Sequence, residues 1–230
     1  MTPDWDRIEA FIGYGRLDAP VVFIGMEEGL ADVNALASDL TLRSTFVPVM
    51  DLEQAHRGIV DGESLFSDSP RRQPTWRVMA DVMLHFEGRM FANADGRSDA
   101  RRAYRAKRLG RSDGDSLLTE LLPYPHPKRS DWLYADRFAS RENYVEKIWP
   151  LRRSLLTEVL GAATRRAIVG YGKGDWENFK MLFPGLKWTE RDRFALADWN
   201  GTPVTLTDHF SGRSFNTDQQ LDALAAVALR

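Results

Sequence analysis

The sequence predicts an α/β domain in three layers, with a central, mostly parallel sheet of four strands. Three observations carry this. Short apolar runs bounded by proline and glycine alternate with segments of helical periodicity, the order that builds a parallel sheet covered on both faces. The runs are continuous rather than alternating, as in strands buried on both faces. The chain has 230 residues, 43% of them hydrophobic, enough for one α/β domain with a sizeable core across residues 1–230.

Each element has its own reason. Trp5, Ile8, Phe11 and Ile12 recur at helical spacing, and Gly13 and Gly15 end that segment. Pro20-Val21-Val22-Phe23-Ile24, bounded by Pro20 and Gly25, is the first buried strand. Leu117-Leu118-Thr119-Glu120-Leu121-Leu122 is the second, Ala167-Ile168-Val169-Gly170 the third and Pro203-Val204-Thr205-Leu206-Thr207 the fourth. Between them, Trp76, Met79, Val82, Met83 and Phe86 share one helix face. Tyr144, Ile148, Leu151, Leu155 and Val159 share another, with Pro150 a possible kink. Asn200-Gly201 is a two-residue hairpin turn that pairs an edge strand, Phe194–Trp199, with the fourth strand. Thr217 and Gln220 fit a capping box ahead of the stripe Leu221, Leu224, Ala225, Ala228.

The totals restrict function. Charged residues make up 28% and the net charge is -2, so no global basic excess argues for nucleic acid. The absence of cysteine excludes disulfides and cysteine-ligated zinc or iron–sulfur clusters. The N-terminus lacks the basic and apolar regions of a signal peptide, and no apolar run is long enough for a bilayer. A soluble, cytoplasmic monomer without cofactor or metal is expected.

Open α/β sheets bind ligands beyond the carboxyl ends of their strands. After the first strand comes Gly25-Met26-Glu27-Glu28-Gly29, a tight turn with two adjacent carboxylates whose repulsion can raise one pKa. The same pair also suits a helix N-terminus. Glu120 is a carboxylate within a buried strand, which calls for an ion-pair partner or a ligand. A stiff exit follows, Pro123-Tyr124-Pro125-His126-Pro127. Tyr171-Gly172-Lys173-Gly174-Asp175 has the wrong spacing for a phosphate loop. Thr207-Asp208-His209-Phe210-Ser211-Gly212-Arg213-Ser214 places a histidine just past the last strand. Arg101, Arg102, Arg105, Lys107, Arg108 and Arg111 form a basic run and Arg71-Arg72 a second pair, able to neutralise phosphates or to form a solvated helix face.

Taken in order, these motifs resemble the uracil-DNA glycosylase superfamily across nearly the whole chain. Gly25-Met26-Glu27-Glu28-Gly29 is similar to its first motif, which places the water-activating residue. The segment 207–211 is similar to its His-Pro-Ser motif, with Phe210 in place of proline. The segment 118–123 is similar to the strand whose Asn reads the uracil edge, and Glu120 stands at that position. The resemblance implies excision of a flipped-out base by a dissociative route, the base leaving as an anion. His209 would stabilise that anion. Glu27, or failing it Glu28, would position water. Gly25, Met26 and Glu120 would hold the base, with Phe46 or Tyr124 beneath it. Arg101, Arg102, Arg105 and Arg108 would meet phosphates, and Ser211, Gly212 and Arg213 would enter the minor groove. An ionised Glu120 only accepts hydrogen bonds, so it favours an amino-bearing pyrimidine such as the modified cytosines of some phage DNA. A non-catalytic DNA- or nucleotide-binding module and a nucleoside hydrolase are the alternatives.

Overall fold

The computed structural model describes residues 2–30, 32–59, 62–128 and 131–230. Helix α1 (Trp5–Ala10) starts at Asp4, whose side chain accepts from the Arg7 N–H. It leads through β1 (Gly13–Gly15) to β2 (Val21–Gly25). Then come α2 (Leu36–Arg43), β3 (Val49–Met50), α3 (Leu52–His56), α4 (Pro74–Phe86), α5 (Ala94–Lys107) and β4 (Ser116–Glu120). The second half holds α6 (Arg141–Gly161), β5 (Ala167–Tyr171), α7 (Trp176–Lys180), β6 (Thr189–Arg191), β7 (Phe194–Trp199), β8 (Thr202–Thr207) and α8 (Asp218–Ala228).

The strands form one mixed sheet in the order β3-β1-β4-β2-β5-β8-β7-β6. The four apolar runs of the sequence become β2, β4, β5 and β8, which lie side by side and mutually parallel. Among the described residues the sheet nevertheless has eight strands rather than four. β1 pairs antiparallel with β4 and parallel with β3, while β6 and β7 extend the other edge antiparallel. Of the additions, β7 is the edge strand Phe194–Trp199 expected from the hairpin turn, whereas β1, β3 and β6 are two or three residues long and lack the apolar signature of a buried strand, β6 being exposed at every residue. Asn200 and Gly201 both take positive φ, 54° and 82°, as the β7–β8 hairpin turn requires.

Alternation along each strand divides the core between the two faces. Val21 and Phe23 of β2 face one layer, with Val78, Met79 and Val82 of α4 and Leu221 and Leu224 of α8. Val22 and Ile24 face the other, with Tyr144, Ile148, Leu156 and Leu160 of α6 and Phe179 of α7. Helix α6 runs unbroken through Pro150. The capping box at α8 forms as its sequence indicates. No helix among the described residues is long and apolar enough to cross a membrane.

The topology fixes where a ligand can sit. From β2 the chain moves first to β4 on one side and later to β5 on the other, so the strand order reverses at β2. Such a reversal opens a crevice beyond the carboxyl ends of the strands.

Candidate active site

A cleft of about 560 Å³ lies at that crevice. The loop 26–29, Glu120, Tyr171, His56, Trp76 and His209 all contribute to its lining. The loop after β2 is zipped to the exit from β4. Leu121 N–H donates to Gly25 O (2.9 Å), Leu122 N–H to Met26 O (2.9 Å) and His126 N–H to Glu28 O (3.0 Å). Gly25 is required by contact: a Cβ there would lie 2.0 Å from Glu120 Oε2 and 2.5 Å from the Tyr171 hydroxyl. The Arg152 guanidinium braces the end of β4 from below. It donates to the carbonyls of Glu120 (2.8 Å), Leu121 (3.3 Å), Phe11 (2.6 Å) and Glu9 (3.2 Å). Burial pushes its pKa down to about 10, which leaves it cationic at neutral pH.

The two adjacent glutamates enter different networks. The Tyr14 hydroxyl is shared between Glu28 Oε1 (2.9 Å) and Oε2 (2.8 Å), and Arg43 Nη1 donates to Oε2 (2.7 Å). Arg43 is itself held by Asp39 at 2.8 Å. Burial alone would raise the Glu28 pKa, but Arg43 and the hydrogen bonds outweigh it and hold Glu28 below the usual carboxylate range. Glu27 accepts from Arg141 Nη2 (2.7 Å) and lies 3.8 Å from His126 Nδ1. Its side chain is 6% exposed, against 20% for Glu28.

Glu120 is the outlier. Burial, followed by the neighbouring charge of Glu28, raises its pKa to about 8. The Tyr171 hydroxyl donates to Oε1 (3.1 Å), and Oε2 is buried without a hydrogen-bond partner. A pKa raised to about 8 favours the protonated carboxyl at neutral pH. That form offers a donor beside an acceptor.

His209 follows β8 and is exposed to solvent. Its Nδ1 accepts from the Ser211 backbone N–H (3.2 Å) and lies 2.7 Å from Ser211 Oγ. A backbone N–H can only donate, so the neutral ring carries its proton on Nε2. Burial, opposed in part by Asp175, holds the imidazole below its usual pKa and keeps it neutral. Phe210 fixes the base of this loop by stacking on Tyr171 (4.5 Å, 13° between planes) and meeting Phe215 edge-on.

Of the residues singled out from sequence, Met26, Glu27, Glu28, Glu120 and His209 line the cleft, and Gly25 lies beneath Glu120. Ser211, Gly212 and Arg213 are exposed beside it. Phe46 and Tyr124 require correction as base-stacking residues. Phe46 is buried against Phe11, and Tyr124 stacks on Tyr144 while its hydroxyl donates to Glu9. Both rings serve the core and neither lines the cleft. The basic run also requires correction. Arg101 is buried between Asp81 and Asp218, and buried Arg105 donates to the Pro70 carbonyl. Only Arg102 and Arg108 of the four remain exposed, paired with Asp99 and Glu87.

Sequence reasoning missed Tyr14, Arg43, His56, Arg141 and Tyr171 as site residues. They come from β1, α2, α3, α6 and β5, and only the fold brings them together. Tyr171 alone carried a signal, as the first residue after the third apolar run, and the structure extends β5 to include it. Among the described residues no group of three or more His, Asp or Glu is arranged to hold a metal. No model of a known protein family and no curated protein sequence matches this chain.

Proposed function

We propose that this chain is a monofunctional DNA glycosylase of the uracil-DNA glycosylase type, hydrolysing the bond between deoxyribose and a damaged or modified pyrimidine. One observation carries the reading. A neutral histidine with its proton on Nε2 and an anchored, ionised carboxylate line the same cleft at the sheet's reversal point. Dissociative cleavage of a glycosidic bond needs both: a donor for the departing base anion and an anion for the cation-like sugar. His209 takes the first role. Glu28 takes the second in preference to Glu27, because its carboxylate is the more open to the cleft.

The protonation of Glu120 alters the expected substrate. An ionised carboxylate accepts only and selects an amine. A neutral carboxyl donates and accepts side by side, which matches the edge of uracil as well as that of cytosine. What still favours an enlarged base is space, since a cleft of about 560 Å³ exceeds the needs of an unmodified pyrimidine ring. The test is incubation with duplexes carrying uracil, cytosine, 5-hydroxymethylcytosine or its glucosylated form, then alkaline cleavage at abasic sites.

A second reading, a nucleoside hydrolase acting on free small molecules, draws support from Arg101 and Arg105 being committed to internal contacts. Salt separates the two. DNA binding weakens steeply as salt rises, and binding of a neutral nucleoside does not.

A further inference from the structure

The roles given to Glu28, Glu120 and His209 leave His56, a titratable cleft residue beside the Glu28 carboxylate, without a task. His56 ends α3, lines the cleft and is only 7% exposed. Its Nδ1 lies 2.8 Å from the Leu52 carbonyl, which can only accept, so Nδ1 carries the proton and Nε2 the lone pair. That Nε2 stands 3.6 Å from Glu28 Oε1. A neutral imidazole nitrogen and an ionised carboxylate oxygen are both acceptors, and neither satisfies the other. A small molecule that donates to both would complete the pair, and a water could do so with its own lone pairs turned outward.

The surroundings hold His56 in this form. Glu28 faces it from the loop after β2, Asp39 and Arg43 from α2 and Tyr14 from β1, with the edges of Trp76 and Phe66 closing the ring. Burial is the largest influence and lowers its pKa, with Glu28 opposing. The ring is thus neutral at rest and becomes a cation next to an anion once it gains a proton.

We propose that His56 is the proton acceptor for the water that attacks the sugar, with Glu28 holding that water's other proton. The inference rests on the base-excision reading. The water oxygen bonds to the anomeric carbon as the glycosidic C–N bond breaks. The electron pair of that bond leaves on the base, which accepts a hydrogen bond from His209 Nε2–H. One water proton passes to His56 Nε2 and goes on to solvent or to the released base, and the other remains on the new hydroxyl. His56 is then a catalytic residue supplied by an element distant in sequence from the Gly25–Gly29 motif.

The test uses single-turnover excision at saturating enzyme on the four duplexes named above. His56→Phe keeps a ring among Tyr14, Phe66 and Trp76 and removes the nitrogens. It is expected to slow release roughly 10²-fold, at the low end for a positioned general base because the sugar is already cation-like. Binding of the same duplex should be unchanged. Wild type should lose rate as pH falls through a midpoint below 6.5, and His56→Phe should lack that acid limb. Added imidazole should restore His56→Ala in proportion to its unprotonated fraction, which a purely structural role would not produce. His56→Gln replaces His56→Phe in the pH series if the latter does not fold. A folded variant within about threefold of wild type and with its acid limb intact overturns the inference alone. Wild type that releases no base from any duplex overturns the base-excision reading and this inference with it.

Discussion

Asp81 offers a direct test of how the basic run is used. Its carboxylate is 0% exposed and accepts from Arg97 Nε (2.9 Å) and Nη2 (2.6 Å), with Arg101 Nη1 at 3.5 Å. The two arginines continue to Asp218 and Asp222, so the network ties α4, α5 and α8 together. Asp81→Ala leaves two guanidinium groups largely buried without their central anion. Removing one partner of a buried pair costs about 3–5 kcal/mol. For a chain of this size each kcal/mol lowers Tm by roughly 2–4 °C, so Tm should fall by about 6–20 °C. Thermal unfolding followed by circular dichroism measures this. The companion measurement is the salt dependence of duplex binding by Arg101→Met, which should match wild type because Arg101 is consumed internally. A fall in Tm under about 2 °C, or a salt slope reduced by about one unit in Arg101→Met, would refute the structural assignment and return Arg101 to phosphate.

Three further outcomes follow from the site. Glu120 holds a proton in the folded state between its ordinary pKa near 4.5 and about 8, whereas the unfolded chain has released it. It therefore costs stability increasingly as pH rises through that window, and Glu120→Gln should gain stability over wild type there; parallel pH-dependent urea titrations would show equal curves if the assignment is wrong. Phe210→Ala should cost about 3–5 kcal/mol, since the ring is buried against Tyr171, Phe215 and Phe23, and chemical denaturation gives the value directly. His209→Ala should slow base release by roughly 10²–10³-fold with unchanged duplex binding, as for loss of one oxyanion-type donor, and an unaltered single-turnover rate would remove it from the mechanism.

The four central strands were legible because strands buried on both faces are continuously apolar, and a run such as Val21-Val22-Phe23-Ile24 has few other uses. The strands β1, β3 and β6 were not, being two or three residues long and drawing their order from neighbours. Glu120 was legible as an anomaly because a carboxylate in an apolar run has few explanations. Its protonation was not, since that depends on Glu28 and on burial that only folding creates. The arginine run misled for a related reason. Asp81 and Asp218, the partners of Arg101, lie on other helices, and local sequence cannot distinguish a cation facing phosphate from one facing a buried aspartate. The same limit hid His56, which meets Glu28 only when folding brings the end of α3 beside the loop after β2.

The central claim is that this cleft excises a base from DNA, and alkali-labile strand cleavage measures it most directly. Duplexes carrying uracil, cytosine, 5-hydroxymethylcytosine or its glucosylated form would be treated with wild type, Glu27→Gln, Glu28→Gln and His209→Ala. The account predicts that wild type generates abasic sites at a damaged or modified pyrimidine and spares ordinary cytosine. It predicts that Glu28→Gln and His209→Ala are strongly impaired while their duplex binding persists, with Glu27→Gln the less affected of the two glutamate variants. No abasic site in any duplex, together with release of free base from nucleosides at a rate insensitive to salt, would contradict it.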